Sequence, residues 1–443
     1  MTLAATLSSR WEPGLWKRAM LWLLLLGPFF FASYGLANWL TAQRAHVPDI
    51  VFAWEKHIPF VPWTIVPYWS IDAFYGLSLF VCTSRTELDT HARRLLTCQL
   101  IAVACFVLFP LRFTFDKPET DGLFGFMFAV LGGFDQPFNQ APSLHIALLV
   151  ILWAIYARHL PAWARMALHV WALLVAVSVL TTFQHHFIDL PTGALLGFFC
   201  LWLWPDSGVS PLSAFSFSQN PKRRRLAGFY ALGAAVCAVA AFWIGGAALW
   251  LLWGTVSCGF VALIYAALAP DAFQKGADGR TSVAARALFA PYHLAAWINS
   301  RAWTWRSPAP SPVTDGIAIG RAPRPRDLAP GHFTAVVDLT AELPMRESGM
   351  RWRTVPMLDL VPPDPASLRE AAASVEAFRH HGPVLVTCAL GYSRSSATVA
   401  TWLMVTGRAA DVEEAIARIR AARPRIVLDA AHRAAITAAA GGR

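Results

Sequence analysis

The first two-thirds of the chain alternates long apolar runs with short polar breaks, and the last third does not. Apolar runs of about bilayer-crossing length fall at residues 20–40, 61–82, 96–113, 143–156, 163–182, 187–204, 227–245 and 248–268. They predict an all-α polytopic membrane domain of about eight transmembrane helices, the fourth of them short. A further apolar piece, residues 122–133, predicts a segment that enters the membrane without crossing it. No small-residue cleavage site follows the first run, so it is read as a retained helix. In the last third the pattern shortens. Val336-Val-Asp-Leu-Thr and Val384-Leu-Val read as buried strands, and residues 394–404 read as a helix, which makes this part an α/β domain.

Composition agrees with a membrane protein: of 443 residues, 56% are hydrophobic and only 14% charged. Twenty tryptophans suit interfacial belts. The net charge of +10 is unevenly spread. With the N-terminus inside, the cytoplasmic segments carry Arg10, Lys17, Arg18, Arg85, Arg93, Arg94, Arg158, Arg165 and Lys222-Arg-Arg-Arg225. The outer loops carry Arg44, Lys56, Arg112 and Lys117. This positive-inside asymmetry predicts an inner (plasma) membrane protein whose two termini are both cytoplasmic. The charge is therefore topological, and nucleic acid is not an expected partner. Six of the seven cysteines lie in or beside apolar segments, with no disulfide or zinc spacing, and no cofactor loop or metal site is expected.

The remaining cysteine lies in Val384-Leu-Val-Thr-Cys388-Ala389-Leu390-Gly391-Tyr392-Ser393-Arg394-Ser395. A tight loop between a buried strand and a helix turns its backbone N–H groups inward and cradles an anion. Those groups and Arg394 favour a thiolate at Cys388, and a guanidinium fork suits a transferring phosphoryl group. Upstream, Pro356-Met-Leu-Asp359-Leu-Val-Pro-Pro-Asp364-Pro offers two carboxylates after a strand. Asp359 is read as the general acid and Asp364 as a helix N-cap.

Cys388 to Arg394 resembles the C-x5-R phosphate loop of the cysteine-dependent dual-specificity phosphatases. The resemblance runs from about residue 313 to 443 and includes Asp315-Gly-Ile-Ala-Ile-Gly-Arg and Arg423-Pro. It implies a phosphocysteine on Cys388, with Ser395 assisting its breakdown and residues 389–393 binding the phosphate. It also implies an acid directly after the strand, which matches Asp359. Thr387 stands where the family usually has histidine.

Within the membrane half, three polar stretches are predicted at the outer, periplasmic face: Arg112-Phe-Thr-Phe-Asp-Lys117-Pro, Pro142-Ser143-Leu-His145 and His185-His-Phe-Ile-Asp189. His185 and Asp189 are four apart and share a helix side. A carboxylate on one imidazole nitrogen leaves the other free as a nucleophile. A second histidine can protonate the leaving group, and basic residues can hold phosphate. Polar residues within such an apolar region are costly and point to function.

These stretches resemble the type 2 phosphatidic acid phosphatase superfamily over residues 63–204. The likeness implies a six-helix core with His185 as nucleophile, Asp189 as its orienter, His145 as acid/base, and Arg112, Lys117 and Ser143 at the phosphate. Val179 stands where the third motif usually has arginine, and the first motif is shortened. A similar loosening marks the branch resembling inositol phosphorylceramide and sphingomyelin synthases, so transfer to an alcohol stands beside hydrolysis.

The whole chain thus resembles bacterial inner-membrane fusions of these two families. The expected organisation is a membrane phosphatase-like domain over 1–205, a basic cytoplasmic loop and two further spans over 206–270, an interfacial linker over 271–311 and the phosphatase domain over 312–443. Residues 284–306 mix tryptophan with arginine and read either as a helix on the inner membrane surface or as an ordinary linker. Residues 307–312 read as a stiff spacer. The expected substrates are lipid phosphates such as phosphatidate or a phosphatidylglycerophosphate-like lipid. The alternative is a phosphoprotein phosphatase whose membrane module is a lipid phosphotransferase or a non-catalytic scaffold.

Overall fold

A computed structural model describes residues 12–328, 332–345 and 349–441. Arg10, one of the charges used for orientation, lies outside them. The chain divides into two compact units, Met1–Ser210 and Pro211–Arg443.

The first unit is helical: α1 (Leu15–Ala42), α2 (Ile65–Val81), α3 (Arg85–Leu108), α4 (Gly122–Gly132), α5 (Leu144–His159), α6 (Ala162–Thr181) and α7 (Asp189–Leu203). α3 starts well before the apolar run at residues 96–113 that announces it. Its start is a capping box. Ser84 Oγ accepts from the Glu87 N–H at 3.2 Å, and Glu87 accepts from the Thr83 N–H at 2.8 Å. Its polar early turns are buried by partners within the unit. His91 pairs with Ser78 at 2.7 Å, and Arg94 donates to the Trp204 carbonyl and pairs with Asp206 at 2.6 Å, capping the end of α7.

α5 and α7 meet backbone to backbone. A Cβ on Gly193 would lie 2.4 Å from the Ser143 carbonyl oxygen, and one on Gly197 would lie 2.6 Å from that of Ala147. Small residues four apart are the usual way to close two helices in a lipid environment. The contact brings the start of α5, with Ser143 and His145, beside the start of α7.

The second unit opens with a helical hairpin, α8 (Pro221–Ile244) and α9 (Leu251–Ala267). Asn220 caps α8 by accepting from the Lys222 and Arg223 N–H groups at 2.9 and 3.3 Å. Arg223 donates to the carbonyls of Ile264, Tyr265 and Leu268, satisfying the last turn of α9. Residues 284–306 form two helices, α10 (Val283–Leu288) and α11 (Ala290–Trp303), instead of one.

Among the described residues, five helices are long and apolar enough to cross a membrane: Leu15–Ala42, Arg85–Leu108, Ala162–Thr181, Pro221–Ile244 and Gly246–Ala267. The others of the first unit are shorter, and α4, at 11 residues, cannot span about 30 Å of hydrocarbon.

The α/β part holds β1 (Ser311–Thr314), β2 (Ile317–Arg321), β3 (Ala335–Thr340), β4 (Arg351–Met357), α12 (Pro365–Arg379), β5 (Val384–Cys388), α13 (Arg394–Val405), α14 (Val412–Ala422) and α15 (Ala430–Gly441). The sheet order is β1-β2-β5-β3-β4, with β1 antiparallel and the others parallel. Ser311 and Pro312 belong to β1 and not to a free spacer; proline is tolerated there because β1 is an edge strand. Every residue of β2, β3 and β5 is buried. Val337, Leu339, Val386, Leu368, Val375, Trp402 and Leu403 share one core. β5 is central, and the loop after it opens at the carboxyl edge of the parallel strands, where such sheets bind ligands.

Candidate active site

The loop between β5 and α13 is shaped by Gly391. Its φ is +74°, and a Cβ there would lie 2.6 Å from the Gly320 carbonyl carbon, so only glycine fits. The turn aims the Gly391 N–H at Cys388 Sγ, 3.2 Å away. Ser395 Oγ lies 3.4 Å from the same sulfur. Burial alone would push the thiol up, but the Arg394 guanidinium and the hydrogen bonds from Ser395 outweigh it, and the Cys388 pKa falls below its ordinary value. Thr387, in the place of the family's histidine, is buried and donates to the Cys388 carbonyl at 3.4 Å.

Arg394 is 1% exposed and is held by groups far away in sequence. Its Nη1 and Nη2 donate to the two oxygens of Glu342 at 2.9 and 2.7 Å, a charge-assisted fork. Nη1 also donates to the Met357 carbonyl at 2.8 Å, and Nη2 to Asp359 Oδ1 at 2.8 Å. Nε is buried and has no partner among the described residues, so it remains for an anion. Burial would raise the Glu342 carboxyl, but Arg394 holds it below its usual range. Asp359 behaves oppositely. Burial first, then Glu342, raises its pKa against the pull of Arg394. A carboxyl displaced upward beside a depressed thiol is the split that an acid and a nucleophile need.

Two supports come from outside the strand–loop–helix core. Lys275 is buried and donates to Asp338 at 2.5 Å and to the Thr340 carbonyl at 2.9 Å, fixing the turn that carries Glu342. Tyr265 of α9 donates to the Asp359 carbonyl at 3.0 Å. The next residue, Leu360, sits at φ +59° with its side chain 54% exposed, a strained posture that presents an apolar group at the rim.

The cavity over Cys388, about 330 Å³, has walls from two sources. Asp359, Leu360, Leu390, Tyr392, Ser393, Val427, Asp429 and His432 come from the α/β part, and Lys222, Arg225, Leu226 and Phe229 from the first turns of α8. Ser393 Oγ lies 2.9 Å from His432 Nε2, His432 Nδ1 lies 2.6 Å from Asp429, and Asp429 lies 3.3 Å from Lys222 Nζ. A polar chain thus runs from α8 to the phosphate loop. Ala389 packs with Ala322 and Leu343, and its carbonyl accepts from Ser300 of α11 at 2.5 Å. Arg423 stacks on Tyr392 at 4.8 Å and donates to the Leu390 carbonyl at 2.9 Å. Reading the sequence missed Glu342, Lys275, Tyr265, Asp429, His432 and the α8 wall.

In the first unit, His185 Nδ1 lies 3.1 Å from Asp189 Oδ2, and Ser143 Oγ lies 3.3 Å from His185 Nε2. His145 stacks on Tyr68 at 4.0 Å, with its Nε2 buried and unpartnered. A cavity of about 80 Å³ is lined by His145, His185, Asp72, Asp135, Tyr34 and Tyr68 among others. Arg112 and Lys117 are exposed and do not line it, although Lys117 lies within electrostatic reach of Asp135. His186 has its own partners. Thr114 N–H donates to its Nε2 at 3.2 Å, which leaves Nδ1–H to donate to Glu55 at 3.0 Å.

Residues 322–440 match the family model of the dual specificity phosphatase catalytic domain. The chain therefore carries a catalytic domain of that class and is a phosphoric monoester hydrolase. Solved structures similar to this part include Tk-PTP in its active form, at 25% identity, covering 31% of this chain and 99% of that one with a TM-score of 0.29. Human DUSP28 is similar at 24% identity over 29% of this chain and 94% of its own, with a TM-score of 0.27. PTPMT1 in complex with PI(5)P is similar at 18% identity over 28% and 89%, with a TM-score of 0.26. No curated protein matches the chain.

Proposed function

We propose that the C-terminal domain hydrolyses phosphomonoesters carried by membrane lipids. The observation that carries this reading is the α8 wall. A helix apolar enough to cross a membrane contributes Lys222 and Arg225, then Leu226 and the exposed Phe229, to the cavity that holds Cys388. Cations at a membrane-facing turn attract anionic headgroups, and the apolar positions beyond them suit acyl chains. A site fixed at the bilayer meets such substrates at high effective concentration.

The chemistry runs in two steps. The Cys388 thiolate attacks phosphorus, the bond to the lipid oxygen breaks, and Asp359 gives that oxygen its proton. Water then attacks the phosphocysteine with Asp359 taking its proton, the S–P bond breaks, and the Ser395 hydroxyl supports the departing thiolate. Arg394 holds the equatorial oxygens throughout.

For the first unit we carry the reading of phosphoryl chemistry at the outer face. His185 is the nucleophile, Asp189 holds its Nδ1, and His145 is the acid/base. The 3.1 Å His185–Asp189 contact supports it. Asp72 and Asp135 in the cavity lining work against a dianion, so Arg112 and Lys117 are assigned to binding at its approach. Helices α2, α5 and α7 are read as further crossings, giving about eight with the five longer ones.

The test is the full chain reconstituted in lipid bilayers, assayed on a lipid phosphomonoester and on a phosphotyrosine peptide, with Cys388→Ser as blank. Preferential turnover of the lipid supports the proposal. Equal or faster turnover of the peptide assigns the site to phosphoproteins.

A further inference from the structure

A separate cavity of about 610 Å³ lies between α11 and the segment that follows β2. His293, Trp297, Arg301, Arg324, Leu343 and Trp352 line it, and it shares no lining residue with the cavity over Cys388. Several of its polar atoms have no partner among the described residues. Arg301 gives Nη2 to the Ala322 carbonyl at 2.8 Å, but its Nε and Nη1 are buried without partners. Arg324 Nε and His293 Nε2 are in the same condition, and His293 is only 8% exposed. Leaving buried donors unpaired is costly, and more so on a charged group.

Among the described residues the charge balance is lopsided as well. Arg301 is surrounded by Arg321, Arg324 and Arg326, with Asp327 as the opposing acid; burial and these neighbours lower its guanidinium to about 10. Unpaired N–H groups on crowded cations in a concave site call for an anion with several acceptor oxygens.

The rim says where that anion comes from. Leu294, Trp297 and Ile298 are 60%, 46% and 53% exposed, and they share one face of α11 with Arg301. Arg301 lies over the Trp297 ring at 5.3 Å. Trp303, the last residue of α11, and Trp305 beyond it extend the exposed aromatic surface. α11 also packs against α9, where the Tyr292 N–H donates to Ser257 at 3.3 Å. An apolar, tryptophan-rich strip on a helix that packs against a membrane-crossing one belongs at the lipid interface.

We infer that this cavity binds the phosphodiester headgroup of an anionic phospholipid. Arg301 and Arg324 are its donors, and Leu294, Trp297 and Ile298 lie against the acyl chains. The site is non-catalytic, and Ser300, beside Arg301 on α11, braces the Cys388 loop through Ala389. A lipid held there steadies the helix that supports the loop.

The experiment uses the full chain in neutral detergent, with bound lipid counted by native mass spectrometry. The probes are phosphatidylglycerol, phosphatidylcholine with the same acyl chains, and inorganic phosphate. The catalytic loop does not cleave a phosphodiester, so the result is independent of the substrate proposal. Wild type retains phosphatidylglycerol over phosphatidylcholine, and the Arg301→Gln, Arg324→Gln double variant binds it about tenfold or more weakly. Arg301→Lys with Arg324→Lys keeps most of the preference, and turnover of a soluble aryl phosphate reports that each variant is folded. No preference in wild type overturns the inference, as does undiminished retention by a folded Gln variant. Inorganic phosphate competing as well as the lipid rejects the lipid source.

Discussion

Asp359 Oδ1 lies 2.8 Å from Arg394 Nη2, so the carboxyl read as the general acid occupies the guanidinium that the phosphoryl group requires. A phosphate dianion entering the loop competes with Asp359 for that nitrogen. Its arrival frees the carboxyl, which is already raised by burial and by Glu342, to carry a proton to the leaving oxygen. The pH profile of kcat/KM should therefore be bell-shaped. Its acid limb reports Cys388, active as thiolate, and its basic limb reports Asp359, active when protonated. Asp359→Asn should abolish the basic limb. It should lower turnover of alkyl phosphates about a hundredfold or more while sparing aryl phosphates with good leaving groups. Equal losses on both leaving groups reject Asp359 as the acid.

Glu342 is 3% exposed and forked onto Arg394. Removing one partner of a buried pair costs about 3–5 kcal/mol. Glu342→Ala should lower the thermal midpoint of the C-terminal unit. Glu342→Gln, which keeps the shape, should move the basic limb to lower pH, because the charge that raises Asp359 is gone. Titration of kcat/KM in both variants checks this.

The site proposed in the first unit is best assayed in full-length Cys388→Ser, where the thiolate route is closed. His185→Ala should remove the remaining activity on lipid phosphates. Asp189→Asn should leave His185 in place but weaken it strongly, since a neutral amide does not stabilise the imidazolium that forms. His145→Ala should hurt poor leaving groups most. Turnover that requires a lipid alcohol acceptor makes the unit a transferase, and equal activity of His185→Ala and its parent removes the site assignment.

The asymmetry of Lys and Arg between loops predicts that a reporter active only in the cytoplasm works when fused after Arg443 and fails near Asp121. The reverse pattern contradicts the orientation.

The parts of the site within a few residues of Cys388 were legible in the sequence, because a strand, a tight turn with Gly391 and a helix form a local unit. Glu342 was not: it lies 52 residues from Arg394, and only the crossover that places β3 beside β5 joins them. Lys222 and Arg225 were visible, but as charges that orient a loop; their place at a cavity wall depends on how α8 packs within its unit. The start of α3 was missed for another reason. Its first turns are polar, so a search for apolar runs begins at residue 96, while the Ser84–Glu87 capping box marks the true start. Helical spacing singled out His185 and Asp189, but His185 lies in the loop before α7 and meets Asp189 there, not on a shared helix side; the Glu55–His186 pair spans 131 residues and carries no local signal.

The most direct test of a lipid-phosphate site is the ratio of kcat/KM on a lipid phosphomonoester to that on a soluble aryl phosphate, for wild type and for Lys222→Gln with Arg225→Gln, in the full chain in bilayers. Both residues line the cavity, but neither belongs to the proposed nucleophile, acid or phosphate loop. The ratio should fall about tenfold or more in the variant, through the lipid substrate and mainly through KM, with the aryl phosphate little changed. An unchanged ratio, or an equal loss on both substrates, would contradict the account.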